Sequence, residues 1–162
     1  MILVDSSVWI DHLRNAVTRP VSHLRSLISR EEELLVGDLI LCEILQGLRT
    51  DTEARLVEEA LREFKVVSLV GPELAVKAAA NYRFMRSRGF TIRRTIDLII
   101  GTFCIERGHF LLPAAQLRRP PIGESRKVGH ESINVIEATR CVRRAARPRR
   151  QQEIVGDRES TD

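Results

Sequence analysis

Met1-Ile2-Leu3-Val4-Asp5-Ser6-Ser7 decides the fold of this chain. An unbroken apolar run, lacking the alternation of a half-exposed strand, describes a strand buried on both faces, and such strands belong to parallel sheets covered by helices. Asp5 closes the run, and helix signals begin at once, with Ser7 placed to cap a segment through Leu13. Further out, Val21 to Ile28 sets Leu24, Leu27 and Ile28 on one face. Asp38 is placed to cap a helix from Leu39 to Arg49, and Thr50-Asp51-Thr52-Glu53 has the capping-box spacing that opens another through Glu63. Val66 to Val70 reads as a second strand. Gly71-Pro72-Glu73 starts a long helix that Gly89 ends; Thr95 caps one running to Arg107 with Gly108 as its stop; Phe110-Leu111-Leu112 begins a further strand. Strands alternating with helices predict an α/β fold, a central parallel sheet flanked by helices on both faces.

At 162 residues, 43% hydrophobic and 30% charged, the chain has the size of one domain with a short appendage. No apolar run approaches the roughly 18 residues of a membrane span, and Met1 leads into Ile2 without the basic region of a secretory signal. Cys42, Cys104 and Cys141 are odd in number and far apart, which fits neither a disulfide framework nor a zinc site, so a reducing cytoplasm is the expected location. The net charge of +4 is unevenly spread: residues 1–112 carry 15 Lys+Arg against 15 Asp+Glu, and residues 113–162 carry 11 against 7. Every aromatic residue precedes residue 111. The chain thus divides into a domain over 1–112 and a basic, aromatic-free tail over 113–162 that is expected to be poorly ordered.

Three acids do not fit solvated helix faces. Asp5 ends an apolar strand, which aims it into the crevice at the carboxyl edge of the sheet, where ligands of open α/β folds bind; the alternative is a helix cap. Glu43 interrupts Leu39-Ile40-Leu41-Cys42-Glu43-Ile44-Leu45, a segment apolar nearly all round and therefore read as buried, where a carboxylate needs a cation or a proton; the alternative is an ion pair with an arginine. Asp97 stands in Ile96-Asp97-Leu98-Ile99-Ile100, in the first turn of a helix whose dipole favours it. Carboxylates converging on one sheet edge repel one another unless a cation holds them, and Mg²⁺ or Mn²⁺ prefers such oxygen ligands together with substrate phosphate. The histidines His12, His23, His109 and His130 show no ligand spacing.

These three stretches, Ile2 to Asp11, Gly37 to Arg49 and Thr91 to Ile100, resemble in order and spacing the signatures of PIN-domain ribonucleases, with the nearest likeness to VapC toxins of bacterial type II toxin-antitoxin systems. The resemblance spans residues 1 to about 112. It implies a PIN-like three-layer fold and an Mg²⁺- or Mn²⁺-dependent endoribonuclease that acts on RNA as the toxic component of a VapBC-type pair. It also implies a homodimer, and a VapB-type antitoxin whose C-terminal segment lies across the active site. Asp5, Glu43 and Asp97 match the family's catalytic acids, Asp5 and Asp97 its metal ligands, and Ser7 the small polar residue supporting the first Asp.

The chain then leaves the family's pattern. After the strand at Phe110 members carry a further Asp, commonly as Asp-x-Asp-Phe, whereas Pro113 to Pro121 holds no acid and the next is Glu124. The codons permitted by Ala115-Gln116-Leu117-Arg118 allow Arg-Asn-Phe-Asp one base on, so the tail is read as out of frame, against a divergent native tail. Arg86, Arg88, Arg93 and Arg94 flank the turn before Asp97 as candidate RNA contacts, and Arg143, Arg144, Arg147, Arg149 and Arg150 form a polybasic cluster in the tail. Trp9 is expected in the core or at a dimer contact. Of the rival classes, a mononucleotide-binding module requires a glycine-rich turn that Asp5-Ser6-Ser7 lacks. A catalytically impaired protein that only dimerises and binds antitoxin requires the fold without the chemistry.

Overall fold

The computed structural model describes residues 1–92, 94–113 and 132–133. Its centre is β1 (Ile2–Val4), whose Leu3 and Val4 are fully buried because a parallel strand takes neighbours on both edges and helices on both faces. β2 (Leu34–Gly37) pairs with one edge of β1 and β5 (Phe110–Leu112) with the other, while β3 (Lys65–Val67) lies outside β2. The order is β3-β2-β1-β5 and all three pairings are parallel, with Ile2 opposite both Leu34 and Phe110. The predicted α/β class, with a parallel sheet between helices, holds.

The helices are α1 (Ser6–Leu13), α2 (Arg19–Ser29), α3 (Asp38–Gln46), α4 (Asp51–Arg62), α5 (Pro72–Ser87) and α6 (Thr95–Glu106). Three caps differ from expectation. Asp5, not Ser7, caps α1, since its carboxylate accepts from the Ser7 backbone N–H at 3.4 Å. Gly37 and Arg94 occupy the cap positions of α3 and α6, which moves Asp38 and Thr95 into the first turns. The box opening α4 forms as read: Thr50 Oγ1 accepts from the Glu53 N–H at 3.2 Å, and Glu53 reaches back to the Arg49 N–H. Gly89 and Gly108 end α5 and α6 at φ of 81° and 66°, a backbone that only glycine adopts without strain.

Two short pairings were not anticipated. β2 is a four-residue apolar run separated from the apolar helix α3 only by its turn, and periodicity does not distinguish a short strand from a buried helix end. β4 (Thr91–Ile92) pairs in parallel with β6 (Ser132–Ile133), which brings two residues of the tail against the turn before α6. The remaining expectations for the tail, including its order, its reading frame and the cluster from Arg143 to Arg150, lie outside the described residues, as do Arg93, His130 and Cys141.

One core joins the sheet to the inner faces of α1, α2, α3, α4 and α6; Trp9, 1% exposed, packs against the tilted ring of Phe64 at 4.8 Å between ring centres. That settles Trp9 as a core residue. A smaller cluster of Ala78, Met85, Ile92 and Leu98, with Phe84 and Phe90 against it, locks α5, β4 and the start of α6 together. It therefore fixes the turn from which Asp97 projects.

Candidate active site

All strands of the main sheet run the same way, so their carboxyl ends share one edge, and the helices starting there carry the three singled-out acids. Asp5 comes directly after β1. Its backbone N–H donates to the Leu112 carbonyl at 3.0 Å, which extends the β1–β5 ladder by one rung and fixes where the side chain leaves the sheet. Burial pushes the Asp5 carboxyl above its ordinary value; the hydrogen bonds from Ser7 oppose this, and the charge of Glu43 adds to it. The two readings of Asp5 thus coincide in one residue, a helix cap that also faces other carboxylates. Ser7 supports Asp5 as the resemblance implied, through hydrogen bonds to its carboxylate.

Asp97 sits in the first turn of α6, half-buried, and its carboxyl is likewise pushed up, first by burial and next by the charge of Asp5. Glu43 adds to the rise and Arg94 counters it. Asp5 and Asp97 come from segments 92 residues apart in the chain, yet each carries the electrostatic mark of a neighbouring acid. Glu43 bears on both. The fold therefore brings together all three of the acids that the sequence marked.

Glu43 is less enclosed than its apolar context suggested. α3 buries only Ile40 and Ile44 and leaves Cys42 exposed, so the helix has two faces and Glu43 stands at their border, its side chain 29% exposed. Arg94 Nη1 lies 3.7 Å from Glu43 Oε1, the arginine pairing weighed as an alternative; with Arg94 at 72% exposure this is a loose surface pair. Glu43, Arg94, Thr95, Ile96 and Asp97 line a cavity of about 390 Å³. Of the other arginines near this turn, Arg88 lies over the Phe84 ring at 4.8 Å and Arg86 is exposed at the end of α5.

Sequence reading undervalued Asp38. Rather than capping α3 from outside, it ties the start of that helix to the segment after β3: Oδ1 accepts from the Leu39 and Leu69 N–H groups at 2.8 and 3.0 Å, and Oδ2 from the Ser68 hydroxyl at 2.9 Å. Gly37 makes this junction sterically feasible, because a Cβ there would lie 2.3 Å from Leu69 Cδ1. The Gly37-Asp38 pair thus sets the angle at which α3 departs and where Glu43 ends up. A Gly-Asp pair between two apolar runs was the available signal.

The donor set is hard and anionic. Among the described residues no three His, Cys, Asp or Glu side chains form a closed ligand group. Asp5 and Asp97 still fit Mg²⁺ or Mn²⁺, ions that take one or two carboxylates and complete their shells with water and phosphate oxygens. Asp5 and Asp97 are raised first by burial and in smaller part by the charge of other acids, and a divalent cation relieves both effects by favouring the ionised form.

The PIN domain family profile matches residues 2–112. VapC ribonuclease Mb1587 of Mycobacterium bovis is 29% identical over 110 residues, covering 67% of this chain and 81% of that protein, and Ribonuclease VapC11 of Mycobacterium tuberculosis matches equally. Two solved structures share the fold. VapBC2 from Rickettsia felis, bound to a DNA fragment from its promoter, is 13% identical with a TM-score of 0.56; FitAcB from Neisseria gonorrhoeae is 20% identical with a TM-score of 0.55. Each similarity covers 68% of this chain and 85% of the other.

Proposed function

The chain belongs to the PIN domain family, and from that premise we propose that it is a divalent-metal-dependent endoribonuclease, the toxic component of a VapBC-type toxin-antitoxin pair. The observation carrying the proposal is the convergence of Asp5, Glu43 and Asp97, with Asp5 and Asp97 each raised by the charge of another acid. Asp5 and Asp97 would hold Mg²⁺ or Mn²⁺, which when bound supplies Lewis acidity toward a phosphodiester and makes water a stronger acid. Ser7 restrains Asp5 through hydrogen bonds to its carboxylate, and Asp38 holds α3 so that Glu43 faces the same cavity. Arg94 offsets the negative field that would otherwise repel RNA, and Arg86 stands ready for the flanking backbone. The test is cleavage of RNA by the full chain in Mg²⁺, with EDTA and Asp97→Asn as controls. Cleavage that persists in EDTA or in the variant rejects the metal site.

An amphipathic segment of a VapB-type antitoxin fits an apolar groove of about 310 Å³ lined by Ile10, Leu13, Ile44, Leu48, Leu56 and Val57, between α1, α3 and α4. α5 turns Val76, Ala79 and Ala80 outward, Val76 at 70% exposure, which supports a homodimer packed through this strip. No helix among the described residues is long and apolar enough to cross a membrane, and a cytoplasmic site of action accords with RNA as substrate.

One observation favours a second reading. No acid stands between Asp97 and Glu124 except Glu106, so the place where the family carries its further Asp is filled by Pro113 to Pro121. In that reading the segment after Leu112 is out of frame and the chain keeps dimerisation and antitoxin binding while cleaving RNA weakly. Restoring the neighbouring frame should then raise cleavage above that of the present chain; an immediate stop codon, or no gain, excludes it.

A further inference from the structure

We infer that α2 presents an exosite for the RNA backbone, remote from the acids and independent of base sequence; the inference rests on the ribonuclease reading and extends it. From His12 to Arg30, between Asp11 and Glu31, the chain carries Arg14, Arg19, Arg25 and Arg30, two histidines and no acid. Residues 1–112 hold 15 Lys+Arg and 15 Asp+Glu, so the rest of that domain is net acidic by the same amount. The positive charge is segregated onto the end of α1 and onto α2.

The helix geometry turns that segregation into a surface. α2 buries Val21, Leu24 and Leu27, which leaves Arg19, His23, Ser26 and Arg30 in one outward row at i, i+4, i+7 and i+11. With a rise of about 1.5 Å per residue the row is about 16 Å long. Arg14, Arg19, His23 and Arg30 are exposed. Among the described residues none of Arg14, Arg19 and Arg30 reaches an acid, and Arg25 donates to Asn15 Oδ1 at 3.4 Å. An acid-free row of like charges raises the local potential, and a polyanion lowers it by displacing counterions. The row sets two guanidinium groups at its ends with an imidazole and a hydroxyl between them, all groups that contact phosphate, and has no Phe, Tyr or Trp for stacking on bases.

Its position relative to the acids suits a continuous strand. α1 starts beside Asp5, and Arg14 comes nine residues later, about 14 Å along the helix. RNA held at Asp5 and Asp97 would therefore meet Arg14 and then the α2 row, up to Glu31 to Glu33, where the charge reverses. The occupant is a nucleic-acid backbone several nucleotides from the scissile bond.

The experiment compares the full chain with its Arg19→Gln/Arg30→Gln variant in EDTA, using an unstructured RNA of about 20 nucleotides and one of about four. Losing two single-strand phosphate contacts should reduce the slope of log affinity against log salt by about 1.4 and weaken binding of the long RNA by at least tenfold near 0.1 M salt. Binding of the short RNA, and its cleavage in Mg²⁺, should not change. Equal slopes and affinities for variant and parent overturn the exosite while parent cleavage keeps the ribonuclease reading. If the parent neither binds nor cleaves RNA, both readings fail together. Loss of poly-glutamate binding in the variant, with RNA binding intact, would mark the row as a dock for an acidic protein and likewise overturn the inference.

Discussion

Asp5 performs two jobs that a pair of substitutions separates. As the cap of α1 it needs only an oxygen acceptor, and Asn serves there as well as Asp; as a member of the acidic cluster it needs its charge. Asp5→Asn keeps the cap and removes the charge, whereas Asp5→Ala removes both. The sign comes from the raised carboxyl: folded Asp5 binds its proton more tightly than unfolded Asp5, so ionising it opposes folding. That penalty is fully present above the folded pKa and vanishes below the ordinary value of 3.8. In metal-free protein near neutral pH, Asp5→Asn should therefore melt above the parent, and the gain should disappear as pH falls below that value. Asp5→Ala should lie about 1 kcal/mol below Asp5→Asn at every pH, the cost of a lost cap, or roughly 4 °C for a folded region of this size. Mg²⁺ reverses the order by binding the native parent, since an ion at 100 times its Kd adds about 2.7 kcal/mol to the parent and little to either variant. Thermal melts of the three proteins with and without Mg²⁺ decide the matter. A metal-free Asp5→Asn less stable than the parent, or one gaining equally at all pH values, would refute the claim that Asp5 is held ionised against its burial and, in smaller part, the charge of Glu43.

Glu43→Gln should lower turnover on RNA at least tenfold while weakening Mg²⁺ affinity less than Asp5→Asn does, because the Glu43 charge is already shared with Arg94 at 3.7 Å; titration of Mg²⁺ against cleavage rate separates the effects, and wild-type turnover would leave Glu43 a surface ion-pair partner. Arg94→Gln removes the cation that holds Asp97 down, so the metal-free variant should lose a few tenths of a kcal/mol near neutral pH and nothing below 3.8, as read by melts at the two pH values. Asp38→Ala strips the acceptors from Leu39, Leu69 and Ser68 and should destabilise the fold by about 2–3 kcal/mol in urea titrations, with Asp38→Asn recovering much of this through the retained Oδ1; equal losses in the two variants would contradict a role for Oδ1.

Features of this fold set by local chemistry were legible in the sequence, and those set by what a segment meets were not. Val4-Asp5 announced a buried strand ending at the carboxyl edge of the sheet, and Thr50 with Glu53 announced a helix start, because strand burial and capping act over a few residues. The junction at Gly37 and Asp38 escaped because its partners, Ser68 and Leu69, lie about 30 residues away and become neighbours only when β3 docks on β2. β4 escaped for the same reason: two residues, Thr91 and Ile92, become a strand only by pairing with Ser132 and Ile133. Asp5, Glu43 and Asp97 were recognisable one at a time as acids in apolar settings, but their shared field is a product of the sheet that collects their helices at one edge.

The same contrast indicates where a change after Leu112 would act. The Leu112 carbonyl accepts the Asp5 N–H, so the chain leaves β5 beside the first acid, and the stretch that departs from the family's pattern begins at the very next residue. Upstream of it, β5 is already paired with β1 along its whole length and Leu112 is in the core. Altering the chain beyond Pro113 therefore leaves the pairings of β1 with β2 and β5 in place, together with the burial of Asp5 and the start of α3, and acts on β4, whose partner β6 lies in that stretch. On the proposed loss of frame it would also remove the further Asp of the family's pattern, and each acid added beside a metal site raises affinity for a divalent cation and, without that cation, adds repulsion. The proposed loss of frame predicts a protein that folds, melts cooperatively and keeps its groove between α1, α3 and α4. Its deficit would fall on metal affinity and turnover, which is the pattern expected of a nuclease broken at its edge rather than in its core.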